Sequence, residues 1–214
     1  MLALFDLDNT LIDRSAGLED WARGFTCARR LPHEAESVIC ARLRERAYPA
    51  DFVDLREMLG LSDDPGDLWD EYVDGVARSV RCFPGVREGL DALRGAGWSL
   101  GVATNGAVDI QCAKLDATGL TPFFDGICIS EAVGARKPER SHFEAAAAEC
   151  GALLSAGGWM VGDNLSTDVG GARAAGLRTV WVAGGRGWAD GLRKPDVVVQ
   201  HVAEAMELLR ELTV

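Results

Sequence analysis

The chain opens with the apolar run Leu2-Ala3-Leu4-Phe5, which leads directly into Asp6-Leu7-Asp8-Asn9-Thr10. A run of this length predicts a short strand that is buried on both faces of a parallel sheet. In open α/β sheets ligands bind at the carboxyl ends of the strands, which is where Asp6 and Asp8 would lie. Two carboxylates so close favour a bound cation, a shared proton or both. A strand end followed by an Asx-type turn is the alternative that this stretch alone leaves open.

The overall composition is that of an ordinary globular protein. The 214 residues are 48% hydrophobic and 26% charged, which suits one domain, or one domain with an insertion, around a sizeable core. The formal net charge of -11 argues against binding to nucleic acid or to an anionic membrane. An anionic substrate would therefore have to be held by local positive charge and not by the field of the whole protein.

The cysteines and the first residues suggest where the protein is found. The six cysteines stand singly, without Cys-x-x-Cys spacing, and this favours free thiols in a reducing cytoplasm. The first residues include no basic segment, and no apolar run approaches about 20 residues. We therefore expect a cytoplasmic protein with neither a signal peptide nor a membrane-spanning helix.

Residues from about 15 to 80 show helical periodicity and no strand pattern. Four apolar repeats predict four helices, with core positions at Leu18, Trp21, Ala22 and Phe25, at Ala35, Val38, Ile39 and Leu43, at Phe52, Leu55 and Leu59, and at Leu68, Tyr72, Val76 and Val80. This helical block follows the first predicted strand, so it interrupts the sheet to which that strand belongs.

Beyond Pro84-Gly85, predicted strands and helices alternate. Strands are predicted at 98–104, 126–130, 159–162, 179–182 and 196–199, with helices near 86–95, 108–117, 141–150, 169–175 and 202–212. Such alternation predicts an α/β fold, a parallel sheet with helices on both faces. The loop Gly184-Gly185-Arg186-Gly187-Trp188 is flexible by composition, and composition alone indicates no chemistry for it.

Four predicted strands end in polar residues, and parallel strands would bring these ends to one edge. The clusters are Asp6 and Asp8, then Thr104-Asn105-Gly106, then Lys137-Pro138 in the loop after the third strand, and then Gly162-Asp163 with Asp168. Each cluster taken alone has a simpler explanation as a turn, a surface charge or a helix N-terminus. Their order on consecutive strand ends is much more specific.

A phosphate group with a divalent cation fits this set of side chains. The carboxylates Asp6, Asp8, Asp163 and Asp168 are hard oxygen ligands of the kind that Mg²⁺ prefers. Thr104 offers a hydroxyl at the start of a predicted helix, which favours anion binding. Lys137 supplies a compact positive charge, and the chain has only three lysines, Lys114, Lys137 and Lys194.

At this point the sequence resembles the haloacid dehalogenase-like (HAD) hydrolase superfamily, on its phosphatase side. Asp6-Leu7-Asp8-Asn9-Thr10 is similar to the family's Asp-x-Asp-x-Thr motif, and Thr104, Lys137 and the stretch from Gly162 to Asp168 are similar to its other three motifs. The resemblance implies a Rossmann-like catalytic core at 1–14 and 82–214. It also implies an α-helical cap at 15–81, with Phe83-Pro84-Gly85-Val86 as the return hinge.

The resemblance also implies a mechanism with two steps. Asp6 would attack phosphorus and form an aspartyl-phosphate, and Asp8 would act as general acid and then as general base. Mg²⁺ would bind Asp6, the backbone carbonyl of Asp8, and Asp163, with Asp168 as a further partner. Thr104, Asn105 and Lys137 would hold the phosphoryl group of a small phosphorylated metabolite.

Three alternatives remain beside this phosphatase. A phosphomutase of the same architecture would return the phosphoryl group to a sugar. A dehalogenase is less favoured, because Asp8 supplies a proton that a halide leaving group does not need. A phosphate-binding module would need no nucleophile. No G-x-G-x-x-G motif follows the first strand, which excludes a dinucleotide-dependent oxidoreductase of that type.

Substrate choice would depend on the helical block and on the loop near Asn105. The candidates in that block are Arg14, Arg23, Arg29, Arg30 and Arg56, although an exposed charge on a helix is the simpler interpretation of each. His33, His142 and His201 stand isolated in the sequence and are not expected to bind a ligand.

Overall fold

The computed structural model describes residues 1–187 and 194–212. Its sheet has six parallel strands in the order β3-β2-β1-β4-β5-β6. The strands are β1 (Leu2–Phe5), β2 (Ser99–Thr104), β3 (Gly126–Ile129), β4 (Trp159–Gly162), β5 (Arg178–Val182) and β6 (Val197–Val199). The parallel sheet expected from the sequence is therefore confirmed.

The first strand lies at the centre of the sheet. It pairs with β2 on one side and with β4 on the other, and Phe5 lies beside both Val102 and Val161. Successive side chains point to opposite faces of a strand, and Ala3 and Phe5 join one core cluster while Leu2 and Leu4 join a second. All four residues are buried, as the unbroken apolar run predicts for a strand covered on both faces.

The helices lie on the two faces of the sheet and in the block between β1 and β2. They are α1 (Arg14–Arg29), α2 (Glu34–Leu43), α3 (Asp51–Leu59), α4 (Pro65–Ser79), α5 (Val86–Gly95), α6 (Val108–Ala117), α7 (Ser130–Val133), α8 (Arg140–Glu149), α9 (Gly171–Ala175) and α10 (Val202–Glu211). Helices α5, α6 and α10 contribute to the larger core cluster, and α8 and α9 to the smaller one. Within the described residues, no helix is both long enough and apolar enough to cross a membrane.

Helices α1 to α4 form the block predicted between β1 and β2. An aromatic cluster holds it together, with neighbouring ring centroids 5.0–5.5 Å apart, and its members are Trp21, Phe25, Phe52, Trp69 and Tyr72. Such pairs stabilise a core beyond the area that they bury. The same buried residues join the core cluster that includes Phe5 of the sheet, so the block packs against the α/β layer.

The chain leaves the sheet for this block and returns from it along adjacent segments. The Asp13 amide donates to the Arg81 carbonyl at 2.9 Å, and the Phe83 amide donates to the Leu11 carbonyl at 3.0 Å. Ile12 and Cys82 form an antiparallel bridge. The two segments that connect the sheet to the block of four helices are therefore held side by side.

The structure differs from the sequence prediction after β4. The helix expected at 169–175 begins earlier, with a π-helical turn at Leu165–Gly170 that continues into α9. The Asn164 side chain explains the early start, because it accepts hydrogen bonds from the Ser166 and Thr167 amides at 3.0 Å each. An asparagine that caps free amide groups starts a helical turn at once.

Candidate active site

The carboxyl ends of β1, β2 and β4 and the loop after α7 surround a cavity of about 570 Å³. All seven side chains selected from the sequence line this cavity, namely Asp6, Asp8, Thr104, Asn105, Lys137, Asp163 and Asp168. They come together because the strands are parallel and adjacent, which brings their carboxyl ends to one edge.

Lys137 lies buried between two carboxylates. Its ammonium is 2.6 Å from Asp6 Oδ1 and 2.8 Å from Asp168 Oδ1. Burial lowers the pKa of Lys137, but Asp168 and Asp6 outweigh it and hold this pKa above its usual value. Lys137 is therefore a permanent cation at the floor of the cavity, suited to a phosphoryl oxygen.

Asp6, Asp163 and Asp168 form an acidic cluster whose facing carboxylate oxygens lie within 4.8 Å of one another. Burial raises the pKa of Asp6 well above its usual range, against the opposing effect of Lys137. Burial and then Asp168 raise the pKa of Asp163 to about 6. These shifts mark carboxylates with too little positive charge nearby.

This cluster fits a magnesium ion in both donor type and span. Its donors are carboxylate oxygens, the ligands that Mg²⁺ prefers. The facing oxygens lie within 4.8 Å of one another, close enough for one divalent cation to bind all three carboxylates. A divalent cation here would also stabilise the ionised forms of Asp6 and Asp163.

Asp8 has a different environment from Asp6. Both of its carboxylate oxygens lie 2.9 Å from the Lys114 ammonium, and Arg14 Nε is 3.7 Å from Oδ2. Burial raises the pKa of Asp8, but Lys114 and Arg14 lower it by more, so the net shift is downward. The side chain of Asp8 therefore pairs with cations and stays outside the acidic cluster.

Thr104 and Asn105 are fixed by neighbouring side chains. Gln111 Nε2 donates to Thr104 Oγ1 at 2.5 Å. The Asn105 amide donates to the Lys137 carbonyl at 3.0 Å, and its oxygen accepts from the Lys137 amide at 2.9 Å. Asn105 thus holds the loop that carries Lys137.

Arg186, in the 184–188 loop, lies at the site, a position that was not predicted from the sequence. Its Nη1 donates to Asp163 Oδ2 at 3.1 Å, and the residue lines the cavity. Trp188, in the same predicted loop, lies outside the described residues. The glycines on either side of Arg186 indicate only a turn, so the sequence contains no sign that this arginine contacts the site.

Arg14 is buried, where the simpler interpretation of the sequence had it exposed. It begins α1, and its guanidinium donates to the Arg44 and Leu43 carbonyls at 2.6 and 2.7 Å. Arg14 also lines the cavity, so it joins the end of α2 to the wall of the site. The other candidate arginines do not line it; Arg23, Arg30 and Arg56 are exposed, and Arg29 pairs with Glu71 and Asp63.

Lys114 and Gln111 contact side chains of the site, which was not predicted from the sequence. They lie on one face of α6, and both are buried. A sequence signal existed, since Gln111, Lys114 and Thr118 share the face of Leu115 at helical spacing. Polar side chains on the buried face of a helix need polar partners inside the protein.

Comparison with known proteins agrees with this geometry. Residues 3–182 match the family model described as haloacid dehalogenase-like hydrolase. The chain is 31% identical over 200 residues to the ribulose-1,5-bisphosphate 5-phosphatase of Halopiger xanaduensis, an alignment that covers 83% of this chain and 82% of that protein. It is 35% identical over 122 residues to the pyrimidine 5'-nucleotidase YjjG of Escherichia coli, covering 57% of this chain and only 54% of that relative.

The fold is shared with a solved structure as well. The HAD-hydrolase YfnB from Bacillus subtilis, bound to magnesium, has a TM-score of 0.79 and 22% sequence identity, over 97% of each chain. At that identity the likeness concerns the fold alone. The family model covers most of the sequence and the Halopiger relative most of both chains, so the protein belongs to the haloacid dehalogenase-like hydrolase family.

Proposed function

We propose that this hydrolase is a Mg²⁺-dependent phosphatase that acts on a small phosphomonoester through an aspartyl-phosphate. Its class, a phosphoric monoester hydrolase, follows from the family and from relatives that are phosphatases. The observation that carries the finer proposal is the contact of 2.6 Å between Asp6 and the buried Lys137. A carboxylate nucleophile next to a fixed cation can approach a phosphate anion with less repulsion.

Asp6 would be the nucleophile. One of its carboxylate oxygens forms a bond to phosphorus while the bond from phosphorus to the substrate oxygen breaks. Lys137, and the Thr104 hydroxyl at the end of β2, would hold the phosphoryl oxygens as their charge moves. Both side chains are buried, so they need little rearrangement when the substrate binds.

Asp8 would transfer the protons of both steps. It gives a proton to the departing substrate oxygen, and in the second step it takes one from the water that attacks the phosphorus of the aspartyl-phosphate. That attack releases inorganic phosphate and restores the Asp6 carboxylate. The exposed fraction of the Asp8 side chain is 21%, which leaves it accessible from the cavity.

Mg²⁺ would be held by the Asp6 carboxylate, the Asp8 backbone carbonyl and Asp163, with Asp168 as a further partner. It would supply positive charge that offsets the carboxylates and the phosphoryl group. The oxygen donors of the acidic cluster support this choice of ion. Arg186 would hold Asp163 from the opposite side, through its contact of 3.1 Å.

Residues 15–81 would act as a cap over a core made of residues 1–14 and 82–214. The paired segments at Ile12 and Cys82 are suited to act as the hinge. The hydrogen bonds from Arg14 to the Leu43 and Arg44 carbonyls would hold the end of α2 at the rim of the cavity. A closed cap excludes water during phosphoryl transfer.

The substrate is a small phosphorylated metabolite whose identity the relatives do not define. Two similar proteins are named for different substrates, a sugar bisphosphate and pyrimidine nucleotides. A screen for phosphate release across sugar phosphates, nucleotides and small organic phosphates tests the proposal. We expect release with Mg²⁺, and its loss in excess EDTA with recovery on adding Mg²⁺.

Other outcomes of the screen would exclude the proposal. Full activity in EDTA would exclude the metal dependence. Formation of an isomeric sugar phosphate without release of phosphate would indicate a phosphomutase. Binding of phosphate esters without any turnover would indicate a binding protein.

A further inference from the structure

Lys114 carries a buried charge that the proposed chemistry does not use directly. Its side chain is only 2% exposed, and it is one of three lysines in the chain. Among the described residues, the cavity wall includes Asp8 and Thr104 but neither Lys114 nor Gln111. Lys114 therefore lies behind the wall, where it contacts the side chains that face the substrate.

Two contacts tie Lys114 to the site. Its ammonium donates to both oxygens of Asp8 at 2.9 Å and to Gln111 Oε1 at 2.7 Å. Gln111 Nε2 then donates to Thr104 Oγ1. One face of α6 thus holds the side chains at the ends of both β1 and β2.

We propose that Lys114 is a positioning residue that fixes the carboxylate of Asp8 for proton transfer to the departing substrate oxygen and from the attacking water. The proposal rests on the phosphatase function proposed above. Two equal contacts from one ammonium fix the direction of the Asp8 carboxylate. They also keep it away from the acidic cluster of Asp6, Asp163 and Asp168, where Asp8 could otherwise rotate toward a bound cation.

A purely structural role would not require a lysine at this position. Burying an ammonium carries a large desolvation cost, and an apolar side chain of similar volume is often tolerated as well or better. Lys114 contacts Asp8 and Gln111, both of which reach groups in the cavity. The charge is therefore placed where it orients the site.

The dependence of the rate on the leaving group separates positioning from packing. Breaking an alkyl phosphate requires a proton on the departing oxygen, whereas p-nitrophenolate departs without one. The ratio kcat/KM reports the steps up to departure of the leaving group, before the shared hydrolysis of the aspartyl-phosphate. The test compares p-nitrophenyl phosphate with an alkyl phosphate that the wild type hydrolyses.

In Lys114→Met we expect kcat/KM to fall about 100-fold for the alkyl phosphate, within the range of general acid catalysis. For p-nitrophenyl phosphate the expected loss is less than about 5-fold, because no proton is needed. Asp8→Asn should show the same selectivity. The double variant should lose little more than Asp8→Asn alone, because the two residues act as a unit.

Lys194→Met is the matched control, because Lys194 is exposed and lies far along the chain. Its kcat/KM for both esters should match the wild type. Equal losses for the two esters in Lys114→Met, or no loss in either, would overturn the positioning role. If Lys114→Met fails to fold, Lys114→Gln is measured instead, with the same expected selectivity and the same contrary results.

The activity of the wild-type protein distinguishes failure of the proposed function from failure of the proposed role of Lys114. A wild-type protein that hydrolyses no phosphate ester in the presence of Mg²⁺ would exclude the phosphatase, and with it the role of Lys114. An active wild type with an unselective Lys114→Met would exclude only the role of Lys114.

Discussion

Asp6 and Asp8 are separated by one residue, yet their surroundings move their pKa values in opposite directions. Asp6 faces a buried carboxylate cluster in which Lys137 is the nearby cation, and burial dominates. Asp8 turns to Lys114 and Arg14, which outweigh its burial. The fold thus gives the two carboxylates different partners, an acidic cluster with Lys137 for Asp6 and the cations Lys114 and Arg14 for Asp8.

The first prediction concerns Asp6 itself. Asp6→Asn should reduce the phosphatase rate by at least about 1,000-fold, because an amide oxygen is a far weaker nucleophile than a carboxylate. Thermal unfolding should show that the variant is folded. Asp91→Asn, at an exposed position on α5, is the matched control and should keep the wild-type rate. Near-normal turnover in Asp6→Asn would exclude Asp6 as the nucleophile.

His142 provides a prediction for stability against pH. Its side chain is fully buried, and burial lowers the pKa of His142 to about 4 despite the Ala135 carbonyl. The unfolded chain binds this proton near pH 6.5, so the unfolded state is favoured as the pH falls. The free energy of unfolding should therefore lose about 3 kcal/mol between pH 6.5 and pH 4 through this group.

Denaturant titrations of His142→Gln at several pH values measure that contribution. The variant should lose less stability than the wild type on acidification. His201→Gln is the control, since His201 is exposed, and it should follow the wild-type curve. Parallel curves for wild type and His142→Gln would show that His142 titrates normally in the folded protein.

Most of the residues that the sequence predicted lie at strand ends, whereas Lys137 and Asp168 were identified by the motifs of the family that the sequence resembles. Asp6, Thr104 and Asp163 follow apolar runs directly, and parallel pairing then brings such positions to one edge. Lys114 and Arg186 were not predicted, because neither lies at a strand end or in one of the four motifs. Lys114 is 106 residues from Asp8 in the chain, and helical periodicity alone does not say which strand end its face will meet.

At the scale of elements, α1 and α4 pack closely through a glycine. A Cβ atom on Gly75 would lie within van der Waals overlap of the Trp21 indole, the nearest ring atom being 2.2 Å away. Trp21 is buried in the aromatic cluster of the helical block, where its ring is tilted against Phe25 and meets Tyr72 edge to face. The small residue therefore sets the distance between these two helices.

Gly75→Ala should lower the free energy of unfolding by about 1–3 kcal/mol, because the added methyl group overpacks the Trp21 site. Gly24→Ala is a control within the same block, since a Cβ atom there meets nothing within 4 Å. It should instead raise stability by about 0.5–1 kcal/mol through helix propensity. Chemical denaturation measures both changes, and a stabilised Gly75→Ala would contradict the close packing.

Most helices and strands were predictable from periodicity to within a few residues, whereas the short helix α7 was not predicted. The four helices of the block show the apolar repeat of a helix with one buried face. The strands at 99–104 and 159–162 show the apolar run of a strand that is buried on both faces. The π-helical turn after β4 was not predictable in the same way. Its early start depends on the local hydrogen bonds of the Asn164 cap, which do not appear in the periodicity of apolar residues.

At the scale of the whole molecule, the fold brings separate strand ends around one cavity. The strand order places β1 between β2 and β4, so the end of β1 that carries Asp6 lies between the strand ends that carry Thr104 and Asp163. The helical block enters and leaves next to this edge, through the paired segments at Ile12 and Cys82. A substrate in the cavity is thus reached by side chains from the sheet and from the block.

The central claim is that Asp6 becomes phosphorylated during turnover, and a burst experiment tests it most directly. Asp8→Asn is mixed with p-nitrophenyl phosphate and Mg²⁺, because this ester needs no acid while hydrolysis of the aspartyl-phosphate still needs a base. We predict a burst of one p-nitrophenolate per active site, with the phosphoryl group recovered after acid quench on the peptide that contains Asp6. Steady release of p-nitrophenolate without a burst, or a phosphoryl group on another residue, would contradict the account.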